Sequence, residues 1–356
     1  MNSKSSNYKY SFIEGLRGLS IILVFGVHFF GKYQNVNYYS NESSFFKSLF
    51  QFFHSGHIGV DCFFLISSFL IYKSIVNPKN KMTFDQFIYK RYSRLLPVII
   101  FILIIPYVIY KTPEPRVIFD NIFFLNIFNS SSSIIIVTWS LVYEIYFYIL
   151  AGLLFIVLPK KITTHYSFLL LICALIVIIH FCVTQQIIEE PIRFLGFFWG
   201  IFLAKYHLKI SQLPILIKNQ ELITIIGFLL LSFMMFGWLN LDWVTHVSTN
   251  KLYNALFYIF IQLSFFLIIV SNLIGENRLK IILVNPYMQF LGMISYSFYI
   301  VHCFVIKINI GSKLLTFFNI SNFASMLLGY LISLLLTVLL AYYSYNYLEK
   351  PYFEKK

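Results

Sequence analysis

Apolar residues fill this chain in long runs separated by short polar breaks, and the length of those runs decides the class of fold. Stretches such as 101–105, 168–179 and 327–340 are continuous, without the alternation that a membrane barrel strand needs. A helix of about 20 residues spans a hydrocarbon layer ~30 Å thick. Backbone groups in lipid must be satisfied internally, which leaves helices as the solution for runs of this kind. Hydropathy windows predict ten spans, near 12–30, 57–76, 95–110, 137–158, 166–184, 191–204, 222–238, 255–273, 288–306 and 323–347, the sixth of them short. The pattern predicts an all-α integral membrane protein, a bundle of about ten transmembrane helices with both termini in the cytoplasm. The inter-span loops are too short for an independent folding unit, so residues 1–356 are expected to form a single transmembrane domain with no fused soluble domain.

Composition sharpens the class and the orientation. With 59% hydrophobic and 12% charged residues and a mean hydropathy of +0.76, the chain lies outside the soluble range. The first apolar stretch lacks a small-residue cleavage site and is expected to remain as a helix. Cys62, Cys173, Cys182 and Cys303 all fall in apolar segments without metal-ligand spacing, which predicts small packing residues and no metal site. The net charge of +13 is distributed as a topology signal and not as a nucleic-acid footprint. With the N-terminus inside, 17 of the 27 Lys and Arg residues fall in cytoplasmic segments and seven in outer loops.

Alternating span direction assigns each buried ionisable group to a leaflet, and two polar layers emerge. The inner layer holds Arg17 and the run Lys90-Arg91-Tyr92-Ser93-Arg94 at the mouth of the third span. Arg91 and Arg94 are three residues apart, neighbours on a helix face, where two guanidinium groups can clamp a phosphate. The outer layer holds His28, Asp61, Glu144, Arg193 and His302, a potential proton carrier among carboxylates that can orient it. Arg17 and His28, eleven positions apart, share one helix face at roughly 16 Å along the axis. Bland readings stay open beside these: positive-inside anchors for the basic run, and a register-fixing ion pair for Asp61 or Arg193. A proton-coupled transporter of a small solute would also gather such groups inside a bundle, although no internal repeat points to one.

Several of these residues stand in recognisable order. The opening Ile13-Glu14-Gly15-Leu16-Arg17-Gly18-Leu19 with His28 resembles that of the membrane-bound acyltransferase-3 family. So do Gly59–Phe69, Arg91-Tyr92-Ser93-Arg94 with Pro97, Trp139–Glu144, Ile294–His302 and the terminal Glu349-Lys350-Pro351. Two departures are Glu14 for the usual Asp and Ser68 for a common glycine, the latter adding a side chain where close helix approach is expected. The resemblance implies an enzyme that takes an acyl group, usually acetyl, from cytoplasmic acyl-CoA. It delivers that group to a hydroxyl of a cell-envelope polysaccharide or lipid-linked sugar. It implies no cofactor beyond that donor, and a place in the plasma membrane.

By matching position, His28 is the implied catalytic histidine, acting as general base or as transient acyl carrier. Asp61 or Glu144 is expected to set its tautomer. Arg17, Arg91 and Arg94 are implied to engage the charged end of the donor, while Trp139, Ser140 and His302 are assigned to the acceptor side.

Overall fold

The structure is a computed structural model that describes residues 10–31, 52–53, 55–79, 81–110, 114–125, 134, 137–157, 191–240, 251–308 and 323–354. The expected span near 166–184, with Cys173 and Cys182, lies outside the described residues. Among the described residues every regular element is helical. The principal helices are α1 (Ser11–Gly31), α2 (Gly59–Val76), α3 (Phe84–Tyr110), α4 (Pro115–Ile122) and α5 (Thr138–Gly152). They are followed by α6 (Leu195–Ile210), α7 (Pro214–Lys218), α8 (Gln220–Asn240), α9 (Lys251–Ile274) and α10 (Arg278–Leu283). The last are α11 (Pro286–Met293), α12 (Ser295–Ile308), α13 (Phe323–Ser344) and α14 (Lys350–Glu354).

Five helical segments among the described residues are long and apolar enough to cross a membrane: Ser11–Gly31, Ser55–Val76, Thr138–Val157, Ala255–Ile274 and Met326–Tyr352. The pair Pro286–Met293 and Ser295–Lys307 makes a sixth if taken as one span bent by 75°.

Local chemistry explains where these elements depart from the hydropathy windows. α3 begins eleven residues before the expected span because Thr83-Phe84-Asp85-Gln86 supplies a cap, Gln86 Oε1 accepting from the Thr83 N–H at 3.2 Å. Lys90, Arg91 and Arg94 therefore stand on the helix itself. The expected sixth span is completed by a 3₁₀ turn, Pro191–Phe194, and by six further residues to Ile210. The expected ninth span is broken between α11 and α12, where Gly292 and Ser295 flank the bend, a pairing that commonly kinks helices. After α13 the chain passes through a π-helical turn, Tyr345–Glu349, which buries the Glu349 side chain completely.

The chain divides into two compact units. The first comprises Met1–Arg17, Val60–Tyr92 and Ser140–Gln289. In it α2 and α6 run parallel, held by Asp61 to Arg193, Ser68 beside Gly200, and Lys73 to His207. α5 runs the same way along α2, through Phe64–Tyr143, Ser67–Glu144 and Tyr72–Phe155. α9 follows α6 in the same sense, with Arg193 against Tyr258 and Trp199 against Phe266. α8 runs opposite to α9, as the contacts of Thr224 with Ser271 and Gln220 with Glu276 require.

Gly196-Phe197-Phe198-Trp199-Gly200 is a small-xxx-small motif that lets α6 approach α2 closely. A Cβ on Gly200 would lie 1.9 Å from Ser68 Oγ and 2.1 Å from the Leu65 carbonyl oxygen. Ser68 is itself buried and folds its hydroxyl onto that same carbonyl at 3.0 Å. The close approach expected at position 68 is thus kept, with the glycine supplied by the facing helix.

The second unit comprises Gly18–Gly59, Ser93–Trp139 and Phe290–Lys356. Here α1 and α12 run parallel, Phe25 meeting Phe298 and His28 meeting His302. Tyr330 of α13 packs among Phe25, Phe29 and Phe30 with ring centroids 5.2–5.4 Å apart. The other end of α13 leads to Glu349 beside Ser297, so α13 is antiparallel to α12. Tyr296 and Tyr299 donate to the carbonyls of Leu95 (2.6 Å) and Val137 (2.9 Å), which anchors α12 to the chain around α3 and the start of α5.

Two outcomes test this packing. Gly200→Leu should destabilise the protein by about 1–3 kcal/mol or more, since the new side chain collides with backbone on α2; unfolding followed in detergent reads it, and an unchanged midpoint would contradict the close approach. Asp61→Ala should cost about 3–5 kcal/mol by leaving the Arg193 guanidinium buried without its counter-charge. In a double-mutant cycle, adding Arg193→Met to Asp61→Ala should recover much of that loss, whereas additive losses would argue against a paired register.

Candidate functional site

The second unit holds an imidazole pair. His28 stands on α1 at a partly buried position, and His302 on α12 is completely buried. His302 Nε2 lies 3.0 Å from His28 Nδ1, with the ring centroids 5.0 Å apart. The same Nδ1 of His28 lies 3.0 Å from the Val24 carbonyl one turn back, and His302 Nδ1 lies 3.2 Å from the Phe298 carbonyl. Aromatic side chains hold the His302 ring: Phe298 stacks on it at 6.3 Å, Tyr299 is tilted against it at 5.7 Å, and Phe25 meets it edge-on at 6.4 Å. A second imidazole, and not a carboxylate, thus stands at His28 Nδ1.

Arg94 is also in this unit, and it is engaged by the turn that follows α13. Its Nε and Nη2 both donate to Glu349 Oε1, at 3.1 and 2.9 Å. Ser297 donates to the other oxygen of Glu349 at 3.0 Å. The buried carboxylate is thereby satisfied from α3 and α12 together, and Arg94 is held facing the turn that follows α13. Trp139, half-buried, lies in the first turn of α5.

In the first unit the expected site residues divide between two settings. Asp61 accepts from Arg193 Nη2 at 2.7 Å and Nε at 3.3 Å, and both side chains are buried. Gln262 adds a longer contact to Asp61 at 3.4 Å and reaches the backbone carbonyls of Ile192 and Arg193. Glu144 accepts from Ser67 at 2.9 Å and from Tyr148. Ser140 is buried near the start of the same helix. Arg17 makes a long pair with Glu14, at 3.3 Å across one helical turn, with Glu14 the more exposed partner. Arg91 stacks its guanidinium over Phe87 at 5.6 Å.

A cluster at one end of this unit escaped the motif reading. Lys73 Nζ donates to His207 Nε2 at 3.0 Å and to the Tyr10 hydroxyl, and lies over the Tyr10 ring at 4.1 Å. His207 Nδ1 faces the Ala204 carbonyl at 2.9 Å, which leaves Nε2 as the acceptor. Burial raises the Tyr10 phenol above its usual pKa, so it serves as a neutral hydroxyl just ahead of α1. The cluster ties the start of α1 to α2 and α6.

Pairing is what the sequence withheld. Ser297 and Glu349 were visible inside two of the quoted motifs, but nothing in their spacing joined them to Arg94. For His28 and His302 the only signal was equal depth in the membrane. Among the described residues no group of three or more His, Cys, Asp or Glu side chains is placed to hold a metal ion.

The geometry can now be set beside known proteins. The O-acetyltransferase OatA of Staphylococcus aureus, in strains NCTC 8325 / PS 47 and COL alike, is 24% identical over 388 aligned residues. The alignment covers 97% of this chain and 58% of those proteins, so the chain spans less than two thirds of the length of these relatives. No solved structure matches. The acyltransferase-3 family, described as an acyltransferase domain, matches residues 10–345, running through both units and every signature quoted above except the terminal Glu349-Lys350-Pro351. The chain belongs to the acyltransferase-3 family.

Proposed function

We propose that this protein is a membrane O-acetyltransferase that moves an acetyl or other acyl group from cytoplasmic acyl-CoA to a hydroxyl of a cell-envelope polysaccharide or lipid-linked sugar. The observation that carries the reading is His28, the histidine that the motif resemblance puts forward, with its ring oriented by hydrogen bonds to the Val24 carbonyl and His302. The OatA relatives are O-acetyltransferases, which favours oxygen as the acceptor atom.

The proposed topology has ten spans in the plasma membrane with both termini in the cytoplasm. Its support is the excess of basic residues in the segments so placed and the direction of the helices. α2, α5, α6 and α9 run parallel and α8 opposite, as spans two, four, six, eight and seven of that order should. In that frame Arg17 and Arg91 lie toward the cytoplasm, where the phosphates of acyl-CoA arrive. The Glu14 contact of Arg17 is long, at 3.3 Å, and Glu14 is the more exposed partner, so an arriving phosphate can compete for the guanidinium. One unbroken helix then spans the ~16 Å from Arg17 to His28, a suitable length for a pantetheine arm.

The chemistry assigned to His28 is general-base catalysis. The imidazole takes the proton of the acceptor hydroxyl as its oxygen attacks the thioester carbonyl. Collapse of the tetrahedral adduct expels the CoA thiolate, which takes the proton back, so ester and thiol form with no net proton change.

Mass spectrometry of envelope glycans from cells with and without the protein tests the reaction class, a lost acetyl on one sugar identifying the acceptor. His28→Ala should lower that acetylation at least about 100-fold at unchanged protein level and unchanged acetyl-CoA binding. Retained transfer in His28→Ala would remove the catalytic assignment. Arg17→Ala and Arg91→Ala should instead weaken acetyl-CoA binding by roughly 10-fold each, as the loss of a charge-assisted hydrogen bond requires; unchanged binding would remove them from the donor site.

A further inference from the structure

We propose that His302 is the positioning residue of this reaction: it accepts the Nδ1 proton of His28, so that His28 Nε2 is the nitrogen that takes the proton from the acceptor hydroxyl. The inference rests on the acyl-transfer reading for its chemistry and on hydrogen-bond geometry for its assignment.

The assignment follows from which neighbours can only accept. The carbonyl of Phe298 is 3.2 Å from His302 Nδ1. A lone pair at that nitrogen would face the carbonyl oxygen, so the proton sits on Nδ1 and the lone pair on Nε2. That Nε2 is 3.0 Å from His28 Nδ1, and the Val24 carbonyl is 3.0 Å from the same Nδ1. Both partners of His28 Nδ1 are acceptors, so this nitrogen carries the proton of the neutral ring. The lone pair of His28 falls on Nε2. One directed chain results, running from His28 Nδ1–H to His302 Nε2 and from His302 Nδ1–H to the Phe298 carbonyl. Cys303 Sγ, 3.6 Å from His302 Nε2, is the other polar atom near that nitrogen, and a thiol is too weak a partner to reverse the direction.

The second histidine does more than fix a tautomer. When Nε2 of His28 takes the hydroxyl proton, the new imidazolium still points its Nδ1–H at two acceptors, and His302 Nε2 can take up part of the positive charge. A carboxylate would stabilise that cation more strongly, but its own charge would have to be buried in the resting enzyme. A neutral imidazole avoids that cost. The stacked Phe298 and the edge of Phe25 keep the His302 ring where this requires it. The proton then leaves His28 for the CoA thiolate, and both rings return to neutral.

Two variants separate an acceptor from a packing group. In His302→Gln the amide oxygen can reach the place of Nε2 and accept, whereas His302→Leu fills the space without accepting. With the full-length protein expressed in cells, envelope O-acetyl content should fall about 100-fold or more in His302→Leu and stay within roughly 10-fold of wild type in His302→Gln. Acetyl-CoA affinity of the purified proteins should be unchanged in both. Nitrogen-15 NMR of histidine-labelled protein, with the His28 signals identified by their loss in His28→Gln, should show a protonated Nδ1 and an unprotonated Nε2 while the rings are neutral.

An Nε2-protonated His28 would overturn the assignment. Equal loss in the Gln and Leu variants at equal folded yield, or full activity of His302→Leu, would overturn the positioning role. Absence of acyl transfer from wild-type protein would overturn the functional reading, and the NMR result would still decide the tautomer.

Discussion

A polar group inside an apolar bundle must meet its partner on another element, and the pair formed by Asp61 and Arg193 is where that requirement fixes the first unit. Both side chains are buried, and neither can be left alone without a penalty of several kcal/mol. The pair therefore admits one rotation and one height of α6 against α2. The offset of 132 residues that it sets recurs at Ser68 and Gly200, and it is 134 at Lys73 and His207 two turns further on. A slip of one residue would turn each helix by about 100° and break all three contacts together. Gln262 spreads the same constraint to α9, touching Asp61 and the backbone at Arg193.

The second unit meets the same requirement differently. Its histidine pair, His28 and His302, takes its orientation from backbone carbonyls and aromatic rings. Its ion pair, Arg94 with Glu349, is buried on the carboxylate side but leaves about a fifth of the arginine exposed. That difference separates two residues that the sequence presents as a matched pair. Arg94 is committed to the turn after α13, through a carboxylate that Ser297 also holds. Arg91, one turn earlier, meets the face of Phe87. The resemblance assigned both to the donor; the structure gives Arg94 a task in holding the turn after α13 through Glu349.

The class of fold and the elements were legible because continuous apolar runs leave few alternatives in a membrane. Helix ends were less so. The early start of α3 depends on a capping box that hydropathy does not register, and the break between α11 and α12 sits at a glycine and a serine that a window averages away. The site was legible as a set of residues and as depths, and not as pairs. Asp61 with Arg193 was among the readings left open, since opposite charges at one depth tend to find each other. His28 with His302 was harder to foresee, because two imidazoles carry no opposite charges to draw them together and meet beside the packing of Phe25 and Phe298. The Ser68 departure shows the same limit: only the facing helix reveals that Gly200 takes over the small-residue role.

If α1 carries a binding residue in Arg17 and a reacting residue in His28, as proposed, the two call for opposite surroundings. Arg17 has a partner one turn away at a long 3.3 Å, with the carboxylate the more exposed side, an arrangement that suits the proposed exchange for a phosphate. A strong buried partner would have to be broken before any ligand gained from the arginine. His28 faces the reverse demand. An imidazole that must accept a proton at one nitrogen gains from having the other nitrogen settled beforehand, since reorientation during the reaction would add to the barrier. Its Nδ1 is accordingly held between two acceptors at 3.0 Å, one on its own helix and one on α12. The helix is unbroken from Ser11 to Gly31, so the exchangeable contact at Arg17 and the fixed contact at His28 keep a constant separation. In the proposed reading, a fixed spacing along one helix is what a donor with a charged head and a reactive tip requires.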